Sequence, residues 1–340
     1  MLLLTSPRFA DHVTPPGHPE RPERAEVFDE VAAAWKGTSI TLAEPRPARQ
    51  DEVERAHSAA HVSHIAHTAG RAVMLDADTF TSPESYEIAL LAAGATIQAA
   101  MHATEQREPA CALVRPPGHH AERERAMGFC LFNNVAVAAA VMLEQGLQRV
   151  AIVDIDVHHG NGTEAIFYDD PRVLYLSTHQ YPFYPGTGAA GDVGNRDGRG
   201  FTVNVPLEAG ANDGDYALVH RAIVSPILDE FRPELLLISA GYDAHERDPL
   251  ASMRMTAAGY GAIVASLSAI AARHGALALV TEGGYELAAV RECLDASLAA
   301  VLAQEKGDAA GAVDLAAPTR RGEQAIAAVR TSQKPFWRGL

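Results

Sequence analysis

An α/β fold built on a parallel sheet, with helices on both faces, is predicted by three features of this 340-residue chain. Short β-branched runs alternate with long helical stretches from residue 83 to residue 303, which is the pattern of strands joined by helical crossovers. Runs such as Val150-Ala151-Ile152-Val153 and Leu235-Leu236-Leu237-Ile238 are apolar throughout, as a strand must be when both of its faces are covered. Polar clusters follow these runs directly, and an open parallel sheet binds its ligands beyond the carboxyl ends of its strands.

Along the chain, the apolar start Met1-Leu2-Leu3-Leu4 reads as a first strand; it lacks the basic flank and long apolar core of a signal peptide. Residues 11–24, rich in Pro and His, read as a loop over the sheet edge. A helix over 83–103 precedes a strand over 111–115, and a helix over 133–145 precedes a strand over 149–156. Strands follow over 172–178 and 201–207, with the Gly-rich stretch 186–200 between them as a second loop. Then come a helix over 213–230, a strand over 234–241, a helix over 256–274, a strand over 276–282 and a helix over 287–303. No linker-like break interrupts the series, so one domain over residues 1–340 is expected, with 305–340 as a C-terminal extension packed on it. Its end, Lys334-Pro335-Phe336-Trp337, suits packing on the domain, and a homo-oligomer contact there is left open.

Bulk properties narrow the function classes. A net charge of −15 argues against a broad nucleic-acid surface, which needs clustered Lys and Arg, and is compatible with a cationic substrate. Three widely spaced cysteines, Cys111, Cys130 and Cys293, offer no disulfide framework and suit a reducing, cytoplasmic setting. No uncharged apolar run is long enough for a spanning helix, so no membrane partner is expected.

The strongest chemical signal is Asp154-Ile155-Asp156-Val157-His158-His159-Gly160-Asn161-Gly162. Residues two apart on a strand face one side, so Asp154, Asp156 and His158 are expected to project together. Asp156 and His158, with Cα atoms about 6–7 Å apart, can then share one ion. Asp243, just past the strand over 234–241, is the best third ligand. Three protein ligands leave a coordination position for water, as at a catalytic metal. Zinc suits such a site, and so does Fe(II), because two carboxylates and an imidazole do not select between them.

Arg115-Pro116-Pro117-Gly118-His119-His120 places two imidazoles on a stiff loop at a strand end. Imidazole titrates near neutrality and can move protons to and from water or an amine. Asp154 and Asn161 can each hold one of the two rings, and an anionic and a neutral partner would set their basicities apart. Gly283-Gly284-Tyr285 can aim a phenol over the sheet edge, where it could donate to a developing oxyanion. Gly128, Phe129, Phe183 and Tyr184 lie in loops reaching the same edge, and facing rings there would form a slot for a methylene chain.

Together these segments resemble the histone deacetylase superfamily, including bacterial class II-like deacetylases and acetylpolyamine amidohydrolases. The matching motifs are 115–120, 128–134, 154–162, 183–188, 241–243 and 282–287, with the segment 18–24, so the likeness spans most of residues 1–305. The resemblance implies an arginase-like domain with an eight-stranded parallel sheet. It implies zinc on Asp156, His158 and Asp243, and His119 and His120 as the general base and acid pair, partnered by Asp154 and Asn161. Tyr285 would polarise the acyl carbonyl. Gly128, Phe129, Phe183, Tyr184, Leu250 and Gly283 would form the substrate tunnel, with Tyr184 standing where the family usually has Phe. It further implies a structural potassium ion at Asp154, Asp156, His158 and Ser177, and Arg24 beside a channel under the metal.

The related arginases need an additional carboxylate where this chain has Gly241, so a second metal lacks its ligand. The expected substrate is an acetylated lysine peptide or protein. The alternative is an acetylpolyamine or another small acetylated amine; polyamine-selective relatives carry Glu seven residues past the third ligand, where Leu250 stands. A non-catalytic acyl-lysine binding module is the remote third reading, and it would predict a missing ligand, histidine or tyrosine.

Overall fold

Among the described residues ten strands form: β1 (Leu2–Leu4), β2 (Thr41–Ala43), β3 (Val73–Met74), β4 (Phe80–Thr81), β5 (Ala110–Ala112), β6 (Val150–Asp154), β7 (Val173–Gln180), β8 (Thr202–Leu207), β9 (Leu235–Ala240) and β10 (Ala276–Thr281). The computed structural model describes residues 1–308 and 315–340. Eight strands make one sheet in the order β2-β1-β5-β10-β9-β6-β7-β8. Every pairing in that sheet is parallel. The remaining two, β3 and β4, form a small antiparallel hairpin.

The continuous apolarity of the central strands has the expected cause. Along β9, Leu236 and Ile238 enter the core on one face of the sheet, while Leu235 and Leu237 enter the core on the other. Burying each such side chain contributes about 1.5–3 kcal/mol, so a strand of this kind is held by packing on two sides. One face is covered by the helices Glu23–Trp35, Ala257–His274, Leu287–Lys306 and Arg320–Gln333, the other by Ser85–Gln106 and Asn134–Glu144.

Helix starts follow the capping chemistry of the sequence. Asn133 accepts the N–H of Ala136 at 3.0 Å, and Thr256 accepts that of Gly259 at 3.4 Å. The stretch expected as one helix over 213–230 is instead Asp213–Val219, a π-helical turn His220–Val224, and Ser225–Phe231. Pro226 has no N–H for the regular ladder, and the wider turn absorbs the interruption. Residues 23 and 24, expected within a loop, begin the helix Glu23–Trp35, whose Val27, Phe28 and Val31 are buried.

At the C-terminus, Trp337 donates to the carbonyl of Gly200 at 3.0 Å and Gln333 to that of Thr202 at 2.6 Å, so this end packs beside β8. Within the expected extension 305–340, residues 309–314 lie outside the described residues. All three cysteines are free and buried. Among the described residues, no helix is long and apolar enough to cross a membrane.

Candidate active site

The strand order decides which clusters meet. β5, β10, β9 and β6 are adjacent at the centre of the sheet. Their carboxyl ends lead into the His119-His120 loop, the Gly283–Tyr285 turn, Asp243 and the Asp154–His158 segment respectively. Four segments distant in sequence therefore open onto one edge.

Asp156, His158 and Asp243 each offer one ligand atom, and these atoms all lie within 4.8 Å of one another. Nδ1 of His158 is 3.2 Å from Oδ1 of Asp156 and 3.1 Å from Oδ2 of Asp243. Ligands spaced tetrahedrally around an ion at about 2.0–2.1 Å are themselves about 3.3 Å apart, so the donor set has the dimensions a small divalent cation requires. The outer oxygens are held by main-chain amides: Gly283 N–H donates to Oδ2 of Asp156 at 2.8 Å, and Val157 N–H to Oδ1 of Asp243 at 2.9 Å. Both carboxylates are fully buried. Burial disfavours a charged His158, yet Asp156 and Asp243 outweigh it and push the ring up to about 10. The field of the two carboxylates that favours a charged ring also favours a bound cation there.

β6 stops at Asp154, so strand alternation does not by itself align the three side chains. A turn does so: the N–H of Asp156 donates to Oδ1 of Asp154 at 3.1 Å, and the N–H of His158 to Oδ1 of Asp156 at 2.9 Å. Short carboxylates capturing nearby backbone N–H groups bend the chain and point His158 back at Asp156.

The two histidines of the β5 loop occupy unlike surroundings. His119 Nδ1 is 3.0 Å from Oδ2 of Asp154. Burial opposes its charge, but Asp156 and Asp154 together hold His119 well above the usual imidazole range. His120 Nδ1 is 2.8 Å from Oδ1 of Asn161. The Asn161 amide is oriented by its other end, which donates to Oε1 of Glu122 at 2.8 Å. Its oxygen must therefore face His120, whose Nδ1 carries the hydrogen while Nε2 keeps a lone pair. Burial, with His119 and His158 adding to it, pushes His120 well below its usual value.

A cavity of about 200 Å³ leads to these groups, lined by Asp78, His120, Gly128, Phe129, His158, Phe183, Tyr184, Leu250 and Tyr285. Phe183 stacks on His158 with ring centroids 5.4 Å apart, Tyr184 meets His120 edge-on at 5.2 Å, and Phe129 meets Tyr285 at 5.7 Å. Gly128 and Phe129 both have positive φ, 57° and 70°, in a tight turn closed by Met127 and Cys130. A side chain at Gly128 would collide with His120, whose Cγ would be 2.7 Å from its Cβ. Gly283 lies against the carboxylates of Asp156 and Asp243 and does not line the cavity. Ser177 is buried opposite Asp154 in the β6–β7 register, with Oγ 2.9 Å from His179 Nδ1. Arg24 donates from Nε to the Gly284 carbonyl at 2.8 Å, its guanidinium 5.2 Å from the Tyr285 ring centre.

Three contributors escaped the sequence reading. Asp78 lines the cavity from the loop between β3 and β4. Glu282, pushed up to about 7 by burial, accepts the N–H groups of Gly118 at 2.6 Å and His119 at 3.1 Å, fixing the histidine loop. Asp248 binds the main chain of Tyr285. Each is an acidic residue at a turn, and only its surroundings set it apart.

An arginase-like second metal is opposed sterically as well as chemically. A Cβ at Gly241 would sit 2.5 Å from the Cβ of Asp156, so no carboxylate fits there.

Comparison with known proteins identifies the family. A probable deacetylase of Archaeoglobus fulgidus is 41% identical over 285 residues, covering 82% of this chain and 79% of that protein. A histone deacetylase-like amidohydrolase of Pseudomonas aeruginosa is 40% identical over 292 residues, covering 83% and 77%. The crystal structure of the HDA15 HD domain superposes with a TM-score of 0.91 at 34% identity, covering 100% of this chain and 97% of that one. The histone deacetylase domain profile matches residues 18–301, and the chain therefore belongs to the histone deacetylase family of hydrolases.

Proposed function

We propose that this protein is a zinc-dependent amidohydrolase that removes acyl groups, acetyl foremost, from lysine side chains. The observation that carries this reading is the convergence of Asp156 Oδ1, His158 Nδ1 and Asp243 Oδ2 beside two histidines of opposed basicity, at the foot of a narrow aromatic cavity. Zinc bound there would supply Lewis acidity to the scissile carbonyl and acidify a water molecule. The neutral Nε2 of His120 takes the proton of the attacking water, while His119, held charged beside Asp154, stabilises the negative charge that develops. Tyr285 donates its phenolic hydrogen to the oxyanion. As the C–N bond breaks, an imidazolium returns the proton to the departing amine, giving acetate and free amine. Phe129, Phe183 and Tyr184 exclude water from the methylene stem of the lysine. A potassium ion, which the family resemblance implies, would be held by Asp154, Asp156, His158 and Ser177 and would serve a structural role, and the three buried thiols suit the cytoplasm.

One feature favours the alternative, an acetylated polyamine: Asp78 lines the cavity and could meet a distal ammonium. Leu250, an apolar residue lining the same cavity, favours the lysine reading. Steady-state comparison of an acetyl-lysine peptide with N-acetylputrescine and N-acetylspermidine distinguishes them. A peptide advantage above about tenfold in kcat/KM, or about 1.4 kcal/mol, is expected. Full turnover after exhaustive chelation, or in Asp243→Ala, would refute the metal-dependent reading altogether.

A further inference from the structure

The segment from Asp243 to Leu250 runs from the ligand cluster to the cavity wall, and on its way it crosses the turn that carries Tyr285. Asp248 sits at that crossing, 6% exposed. Its Oδ2 accepts the N–H of Tyr285 at 2.7 Å and that of Glu286 at 3.3 Å. Its Oδ1 accepts the N–H of Leu250 at 3.0 Å. One carboxylate thus binds the main chain of two residues that line the cavity from different loops.

The bond to Tyr285 is placed where it has most effect. Gly283 and Gly284 precede the tyrosine, and Gly284 has a φ of 118°, so the chain can swing there unless something holds it. The Gly284–Tyr285 peptide is held at both ends: Arg24 Nε donates to its carbonyl at 2.8 Å, and Asp248 Oδ2 accepts its N–H at 2.7 Å. A guanidinium donor and a carboxyl-oxygen acceptor clamping one peptide plane fix the direction in which the next side chain leaves the backbone.

We infer that Asp248 is a positioning residue: it sets the placement of the Tyr285 phenol and ties that placement to the cavity wall at Leu250. The inference rests on the reading that Tyr285 serves the reaction. Both oxygens of the carboxylate accept hydrogen bonds, one for each loop. In Asp248→Asn one oxygen becomes an NH2 group, which would face a backbone N–H donor to donor, so the side chain can satisfy Leu250 or Tyr285 but not both. Volume is unchanged, which separates the hydrogen-bonding role from packing.

The test compares metal-loaded wild type, Asp248→Asn, Tyr285→Phe and the double variant on an acetyl-lysine peptide, with amide hydrogen exchange measured on all four. Asp248→Asn is expected to lower kcat about 100-fold, the scale of a misplacement near 1 Å. KM should stay within about threefold, because the rings of Phe129, Phe183 and Tyr184, which hold the stem, make no hydrogen bond to Asp248. In the Tyr285→Phe background the same substitution should cost nothing further, since both changes act through one hydroxyl. Exchange over residues 283–287 should rise about tenfold while 154–160 stays protected, showing that the sheet edge is intact. Wild-type kcat in Asp248→Asn, losses that multiply in the double variant, or unchanged exchange over 283–287 would each overturn the inference. If the wild type itself shows no metal-dependent turnover, the functional reading fails instead, and the exchange data alone decide whether Asp248 holds Tyr285.

Discussion

Gly283→Ala provides a severe test of the ligand cluster, because it adds one methyl group and no charge. Gly283 does not have the left-handed φ that would forbid alanine, so the backbone itself admits the change. The obstruction lies beyond it. An alanine Cβ would sit 2.6 Å from Oδ2 of Asp156 and 2.9 Å from Cγ of Asp243, closer still to Oδ2 of Asp243. Ordinary contact is about 3.5–4.0 Å, so the two carboxylates must recede by about 1 Å. Metal sites tolerate only about 0.2 Å in ligand distance, and at least one carboxylate is therefore lost as a ligand. Disturbing the groups that orient ligands costs about 10–100-fold in affinity, and displacing the ligands themselves should reach the upper end, about 2.8 kcal/mol. The assay is competition for Zn²⁺ between the metal-free protein and a chromophoric chelator, with the metal-induced rise in Tm as a second readout. Gly191→Ala is the control, since its Cβ meets nothing within 4 Å and its φ is not in the left-handed range. If Gly283→Ala binds Zn²⁺ within about threefold of wild type, Asp156 and Asp243 are not the groups that hold it.

Two further outcomes are expected. His220 is 2% exposed, its ring nitrogens meet no protein partner among the described residues, and burial lowers it from 6.5 to about 4. The unfolded chain therefore binds a proton that the folded chain refuses between those values, and this contribution to stability, complete above pH 6.5, is lost as the pH falls towards 4. Between pH 7.5 and 5 the stability difference between wild type and His220→Leu should move by about 2 kcal/mol in favour of the variant, measured by urea unfolding; a difference independent of pH would refute the assignment. Leu250→Glu should shift the ratio of kcat/KM for N-acetylspermidine over acetyl-lysine peptide upward by about tenfold, and an unchanged ratio would remove Leu250 from substrate choice.

The central strands were legible because their residues are apolar on two faces, which local composition reports directly. The edge strand β2 was not: it is three residues long, and Thr41 and Leu42 are exposed. The break at His220–Val224 was hidden in a continuous helical pattern, since Pro226 near the start of a helical segment is unremarkable without knowing where the preceding turn ends.

At the site, the sequence by itself determined the chemistry: two carboxylates and an imidazole within five residues, paired histidines on a stiff loop, and a phenol after two glycines. Tertiary structure alone decided that these groups meet. Asp243 reaches Asp156 and His158 because β9 lies beside β6, and Tyr285 and the histidines arrive because β10 and β5 come next in the sheet. Strand order depends on how each crossover helix packs across a face of the sheet, a property of long-range contacts that no short window of residues contains. The same holds for Glu282 and Asp248, whose carboxylates gain their roles from backbone N–H groups that only the folded chain brings within reach.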